Sequence, residues 1–220
     1  LRRRQRQMCI RDSIETKPLV YDNLVIFGAW DKNLYALDKK TGKEVWKWHE
    51  GKPGRFYSAA AVWPVAANGK VFIADPERVL TAIDASTGKT VWRTKESMVR
   101  ETVGLSEDKR RIYSKTMNDS VVCYSATTDF PEKIWASNVG FGYEHAPSMP
   151  VEKEGVVFGS TKNGLMFGLD AHTGKVLWKH KVGNSLISTL VPLSKNKCLF
   201  TATGGEIGLL VIDYKINKHK

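Results

Sequence analysis

Three short clusters carry the chemistry that this 220-residue sequence could perform: Arg55-Phe56-Tyr57, Arg100-Glu101 and Tyr143-Glu144-His145. Aligned on the prolines of successive repeats, they fall at matching places, each at the entry of the same strand. Guanidinium, carboxylate, imidazole and aromatic groups converging on one rim are what a ligand or peptide pocket requires. The same residues would equally serve as polar caps that close strand ends through ion pairs such as Arg100 with Glu144. Other chemistry finds no support. There is no HExxH and no P-loop, Gly140-Phe141-Gly142 lacks the third glycine and the strand–helix setting of a dinucleotide fingerprint, and no serine sits in a nucleophile elbow. Cys9, Cys123 and Cys198 are far apart and form no CxxC, CxxCH or adjacent pair, so a disulfide framework, a zinc site and a haem attachment are unsupported. Cys123 lies in an apolar strand, where a buried, inert thiol is expected. No catalytic residue and no metal ligand is assigned.

The elements that must position these residues repeat. Asp38-Lys39-Lys40-Thr41-Gly42-Lys43-Glu44-Val45-Trp46 returns as Asp84 to Trp92, with Thr87-Gly88, and as Asp170 to Trp178, with Thr173-Gly174. Trp46, Trp92, Trp135 and Trp178 are spaced by 46, 43 and 43 residues. The glycine can take the positive φ of a bulged hairpin turn, the aspartate can hydrogen-bond the turn backbone, and the tryptophan is suited to wedging against a neighbouring unit. Two β-rich apolar runs precede each turn, for example Leu24-Val25-Ile26-Phe27 and Leu34-Tyr35-Ala36-Leu37. Earlier still comes a small-residue run ending near a proline (Ser58 to Pro64, His145 to Pro150, Ser188 to Pro192), predicted to be the innermost strand. Four short strands in about 43 residues without helical periodicity are the signature of an all-β propeller blade. The predicted blades are 14–50, 51–98, 99–139, 140–183 and an incomplete 184–220, an open arc. The third unit reads as degraded, because Ser125 to Lys133 replaces the Thr-Gly-Lys turn with a longer one. A native parent with further blades is expected.

The pattern Ala-x-Asp-x-x-Thr-Gly-Lys-x-x-Trp, met fully at Ala36–Trp46 and Ala82–Trp92, resembles the tryptophan-docking repeat of the quinoprotein-like, or PQQ-type, β-propellers. The likeness runs from about Ile14 to Asp213. It implies a propeller of the bacterial cell envelope or periplasm, among relatives that include the BamB lipoprotein of outer-membrane assembly and quinoprotein alcohol dehydrogenases. The stretches Trp63 to Lys70 and Val139 to Val151 also resemble a propeller that follows a calcineurin-like metallophosphoesterase, which would place a catalytic domain upstream. A PQQ enzyme of that family needs Ca²⁺ held by carboxylate and amide oxygens, an Asp base and commonly an adjacent Cys-Cys pair. No such set is evident here, so neither PQQ nor Ca²⁺ is supported. The resemblance thus implies a non-catalytic binding module for a protein or small ligand, with a PQQ dehydrogenase fragment or a phosphoesterase accessory domain as the alternatives.

The formal charge of +11 divides unevenly. Residues 1–13 (LRRRQRQMCIRDS) resemble the translation of a sequencing adapter and are read as non-native. They hold five Arg and one Asp, leaving 29 basic against 22 acidic residues. On that reading the natural N-terminus, with any signal peptide, lies upstream. The basic runs Lys109-Arg110-Arg111 and Lys215 to Lys220 fall in a turn and a tail, which argues for solvated loops rather than a nucleic-acid patch. No apolar run is long enough for a transmembrane helix.

Overall fold

The computed structural model describes residues 17–49, 62–75, 77–144 and 148–214. Among them are nineteen strands and no helix. The first sheet is β1 (Leu19–Tyr21), β2 (Leu24–Gly28), β3 (Leu34–Asp38) and β4 (Glu44–Trp48), and the second β5 (Val65–Ala67), β6 (Lys70–Ala74), β7 (Leu80–Asp84) and β8 (Thr90–Thr94). The third is β9 (Val99–Leu105), β10 (Arg111–Thr116), β11 (Asn118–Ser125) and β12 (Lys133–Tyr143). The fourth is β13 (Val151–Lys153), β14 (Val156–Ser160), β15 (Leu165–Asp170) and β16 (Val176–Lys181), and the fifth has three described strands, β17 (Ile187–Ser194), β18 (Lys197–Ala202) and β19 (Ile207–Val211). Every pairing within a sheet is antiparallel and sequential. The first strands lie against one another in the order β1, β5, β9, β13, β17, so the five blades form an open arc with these strands innermost.

Two expectations about the strands are corrected. In the second and fourth blades the innermost strand begins after the proline, at Val65 and Val151, whereas in the fifth the run Ser188 to Pro192 lies within β17 as expected. Proline cannot donate to a ladder, so the pairing starts beyond Pro64 and Pro150. The third blade is not degraded as a sheet. All four strands are present, and β12, with 11 residues, is the longest in the arc and carries this blade to Tyr143. The lost Thr-Gly-Lys turn altered the connection without costing the strand.

The core is a series of inter-blade layers, because the three inner sheets bury one face against the preceding blade and the other against the next. The repeated turn builds the seams. Asp38 Oδ1 accepts from the Lys40 and Thr41 amides at 3.1 and 2.7 Å and from Thr41 Oγ1 at 2.8 Å. Asp84 and Asp170 repeat this with Ser86–Thr87 and His172–Thr173. The Thr41 hydroxyl chiefly holds the Asp38 carboxyl below the usual range, and the Ser86 hydroxyl does so for Asp84.

Trp46 and Trp135 then reach across to the next blade's turn. Trp46 Nε1 donates to the Ala85 carbonyl at 2.8 Å and its ring covers Gly88, where an added Cβ would meet ring atoms at 2.8 Å. Trp135 does the same with the Ala171 carbonyl at 3.1 Å and Gly174 at 2.7 Å. Trp92 faces the third blade, whose turn has no such glycine, and stacks instead on Tyr124. That seam is closed by Asn68, donating to the Lys109 carbonyl at 2.8 Å, and by a Lys70–Asp129 ion pair at 2.8 Å.

At the end of the arc, Val191, Leu199 and Leu209 form one exposed apolar row on the fifth blade. By register Leu199 occupies the place of Phe72 and Phe158, which the following blades bury fully.

Candidate functional site

Antiparallel topology sorts the loops onto two ends of the arc. One end holds the Thr-Gly turns. The opposite end, the rim, holds the β6–β7, β10–β11 and β14–β15 hairpins and the connections that pass from one blade to the next. Arg100 and Glu101 lie in β9 close to this rim, Tyr143 ends β12 and Glu144 follows it. Tyr143 and Glu144 are therefore not at the entry of an innermost strand as expected. They leave the outermost strand of the third blade, because β12 is long enough to absorb Val139 to Tyr143. Arg55, Phe56, Tyr57 and His145 lie outside the described residues.

The rim nevertheless gathers four of the expected residues around the β10–β11 hairpin. Met117 donates its amide to the Met98 carbonyl and accepts from the Glu144 amide, both at 3.0 Å, which draws the two flanking segments together. Arg100 contacts the Met117 sulfur at 3.3 Å and pairs with Glu101 at 3.2 Å. Glu101 is also ion-paired to Arg78 of the β6–β7 turn. Glu144 is fully buried and accepts the Lys162 amide from the β14–β15 hairpin at 3.1 Å. The Lys162 ammonium stands over the exposed Tyr143 ring, 5.0 Å from its centroid, a cation–π arrangement. Burial pushes the Arg100 guanidinium down from its ordinary value, against the opposing pull of Glu101.

Sequence reasoning missed Lys115, which sits in β10 with no exposure at all. Its ammonium donates to Ser148 Oγ at 2.8 Å and to the Ser160 carbonyl at 2.9 Å, both in the fourth blade. Burial pushes its pKa down to about 8, and the nearby Glu144 charge works the other way. The signal was faint: one lysine alternating out of phase in Ile112-Tyr113-Ser114-Lys115. Arg78 and Lys162 were missed because a basic residue in a hairpin turn reads as solvated.

Beside this cluster lies a hollow of about 290 Å³ lined by Trp63, Met149, Val151, Ser188, Thr189 and Leu190, from the second, fourth and fifth blades. Strand β9 connects the two: Trp63 donates its amide to the Glu101 carbonyl at 3.3 Å and pairs as a parallel bridge with Thr102.

Near the Thr-Gly end, a second polar group closes the seam between the third and fourth blades. Arg111 Nη1 lies 2.7 Å from His172 Nδ1, and since a guanidinium only donates, that nitrogen is the acceptor. Arg111 also reaches Asp108 at 3.2 Å and Glu152 at 3.7 Å, and Glu152 accepts the Tyr113 hydroxyl. Cys123 is buried nearby, and burial raises its thiol far above the ordinary range; that of Cys198 is raised to about 11. A thiol held protonated is a poor nucleophile. In a Cys9→Ser chain at pH 8, a thiol-specific disulfide reagent should label neither cysteine until denaturant is added. Rapid labelling of the native chain would contradict this. Among the described residues no three His, Cys, Asp or Glu side chains come together as a metal-holding group.

Five successive antiparallel blades, seam tryptophans seated on turn glycines and a charged rim opposite those turns define a β-propeller of the quinoprotein-like, BamB-like class. A family model described as outer membrane protein assembly factor BamB matches residues 6–126 and 117–216, and the chain belongs to that family. Among solved structures it is similar to BamB from Moraxella catarrhalis, with a TM-score of 0.70 and 18% identity over 91% of this chain and 61% of that one. It is also similar to the computationally designed Ika8 protein, with a TM-score of 0.73 and 17% identity over 90% and 58%. Among curated proteins, the quinoprotein alcohol dehydrogenase PedH of Pseudomonas putida is 45% identical over 62 residues, 27% of this chain and 10% of that protein. The chain thus spans about three-fifths of the two solved chains and matches a tenth of the dehydrogenase.

Proposed function

We propose that this chain is the propeller of a bacterial envelope protein and acts without catalysis, offering its channel rim to a protein partner or a small ligand. The observation that carries the reading is the convergence of Arg78, Arg100, Glu101, Lys115, Glu144 and Lys162, from three blades, at one end of the arc. Burying Arg100, Lys115 and Glu144 sacrifices hydration that a simple cap at a strand end would keep, and such desolvated charge is characteristic of sites that bind. Membership in a family described by outer-membrane assembly supports a periplasmic setting and a partner in that process. The test is affinity purification of the outer-membrane assembly machinery with the parent protein. Arg100→Ala and Tyr143→Ala together should reduce recovery roughly tenfold, the equivalent of ~1.4 kcal/mol, and Tyr143→Ala alone, at an exposed position, should reduce it without moving the melting temperature. Equal recovery would end the rim reading.

The local identity to a quinoprotein dehydrogenase favours one alternative, a fragment of a PQQ enzyme. The described residues do not fit that cofactor. The hollow beside β9 has no charged lining residue and no carboxylate set for a calcium ion, whereas the quinone carries carboxylates and its metal requires oxygen ligands. Titration with PQQ and Ca²⁺, followed by tryptophan fluorescence, should give no saturable change; a stoichiometric one would favour the redox reading.

A further inference from the structure

We propose that a hollow between the first and second blades, at the Thr-Gly end of the arc, binds the arginine side chain of a partner polypeptide. The site lies opposite the rim and does not depend on the rim reading. Its volume is about 350 Å³, and its lining includes Tyr21, Asp22, Leu24 and Val45 of the first blade and Asp84 and Ser86 in the turn of the second. No lysine, arginine or histidine lines it. Ligand sites begin at roughly this size.

The neighbouring seams show what belongs at this place. Leu24, Lys70 and Arg111 are equivalent in successive blades. Each opens the second strand of its sheet and pairs with the residue that begins the blade's long turn, Asp38, Asp84 and Ser125 respectively. From there Lys70 crosses to the third blade's turn, where it pairs with Asp129 at 2.8 Å and donates to the Thr127 carbonyl at 3.3 Å. Arg111 crosses to the fourth blade's turn and donates to His172 Nδ1 at 2.7 Å. Both seams are bridged by a cation of the chain itself. At the fourth blade the place is taken by Val156, in an apolar cluster that Ile212 and Tyr214 complete. In the first blade Leu24 brings no charge, and the hollow lies beside it and the second blade's turn.

Acceptors for an incoming cation are present. Asp84 Oδ1 takes bonds from the amides and hydroxyls of Ser86 and Thr87. Among the described residues nothing donates to its Oδ2 or to the Asp22 carboxylate. Lys39 reaches the same corner, but its ammonium donates to the Asp22 carbonyl at 2.7 Å. The Tyr21 hydroxyl accepts the Gly69 amide at 3.0 Å, which ties the ring into the wall. A planar guanidinium stacks on an aromatic face and forks onto a carboxylate, as a lysine ammonium cannot. A free arginine molecule would bring its own carboxylate beside Asp22 and Asp84, and like charges repel. An arginine within a polypeptide escapes that repulsion.

Amide NMR titration of the 220-residue chain reads the site through Gly69 and Ser86. The probes are a glycine–serine peptide with blocked ends and one central arginine, the same peptide with lysine or with citrulline, the neutral isostere of arginine, and free arginine. The arginine peptide should shift both amides saturably and bind at least tenfold more tightly than the citrulline peptide, and more tightly than the lysine peptide or free arginine. Asp22→Asn, at an exposed position whose φ of +51° asparagine also accepts, should weaken binding roughly tenfold. Leu24→Arg should supply the bridge from within and abolish binding, while Leu24→Met, which keeps the position apolar, should bind as the native chain does. Equal affinity for the arginine peptide and any of the other three probes, binding untouched by Asp22→Asn or Leu24→Arg, or no saturable shift at either amide would each overturn the proposal.

Discussion

Gly174→Ala should destabilise the chain by about 2–5 kcal/mol, while the same change at Gly42 costs only about 1–2. Both glycines have nearly the same backbone, with φ of +73° and +69°, so both alanines suffer the left-handed strain of roughly 1–2 kcal/mol. They differ in their surroundings. A Cβ on Gly174 would stand 2.7 Å from the Trp135 ring, whereas one on Gly42 would meet nothing within 4 Å. Overpacking of that kind adds about 1–3 kcal/mol. Gly88→Ala should follow Gly174, since Trp46 lies over it. Trp135→Ala removes the ring and leaves the Ala171 carbonyl without its indole donor, and should cost about 3–5 kcal/mol. Urea titrations of the four variants measure this directly. Equal losses at Gly42 and Gly174 would show that the turn, and not the tryptophan seat, makes the glycine necessary.

Lys115 should make stability rise with pH in the alkaline range. Its pKa falls from an ordinary value near 10.5 to about 8 in the folded chain, so between those values the unfolded chain binds the extra proton. The penalty for burying the charged ammonium is complete below pH 8 and is relieved as pH rises toward 10.5. The shift corresponds to stability on the order of 3 kcal/mol. Tyr113 and Cys123 act in the opposite sense, because burial raises both and their contribution is lost above the ordinary values of 10 and 9. The quantity to measure is therefore the difference between the native sequence and Lys115→Met across pH 7 to 10.5. The native chain should gain on the variant as pH rises. At pH 7 the methionine should be neutral or stabilising, since a well-packed apolar side chain escapes the desolvation cost and Ser148 still donates to the Ser160 carbonyl at 3.1 Å. A pH-independent difference would mean that Lys115 does not carry the titration.

Much of the fold could be read directly because its rules are local. The Asp–Thr–Gly turn closes on itself through bonds of two or three residues in sequence, and an alternating apolar run declares a strand whatever surrounds it. The third blade shows where local reading stops. Without its Thr-Gly-Lys it appeared degraded, yet β12 still pairs with β11 along its length, because cross-strand register depends on the whole ladder. Of the rim residues, Arg100, Glu101, Tyr143 and Glu144 lie around the β10–β11 hairpin, but Tyr143 and Glu144 leave the outermost strand of the third blade and do not enter an innermost one, a difference set by how far β12 extends.

The sequence by itself determined the repeat, the strand count in each blade, the turn chemistry and the presence of tryptophan at the seams, all of which follow from spacings of a few residues. Only the tertiary structure decided which blade each tryptophan reaches, because Trp46 and Ala85 are 39 residues apart and meet through packing. It also decided that Lys115 is buried, since a lone lysine in a strand faces solvent or protein according to what the next blade sets against it. The place of Arg78 beside Glu101, 23 residues away, has the same origin: two neighbouring blades packed face against face.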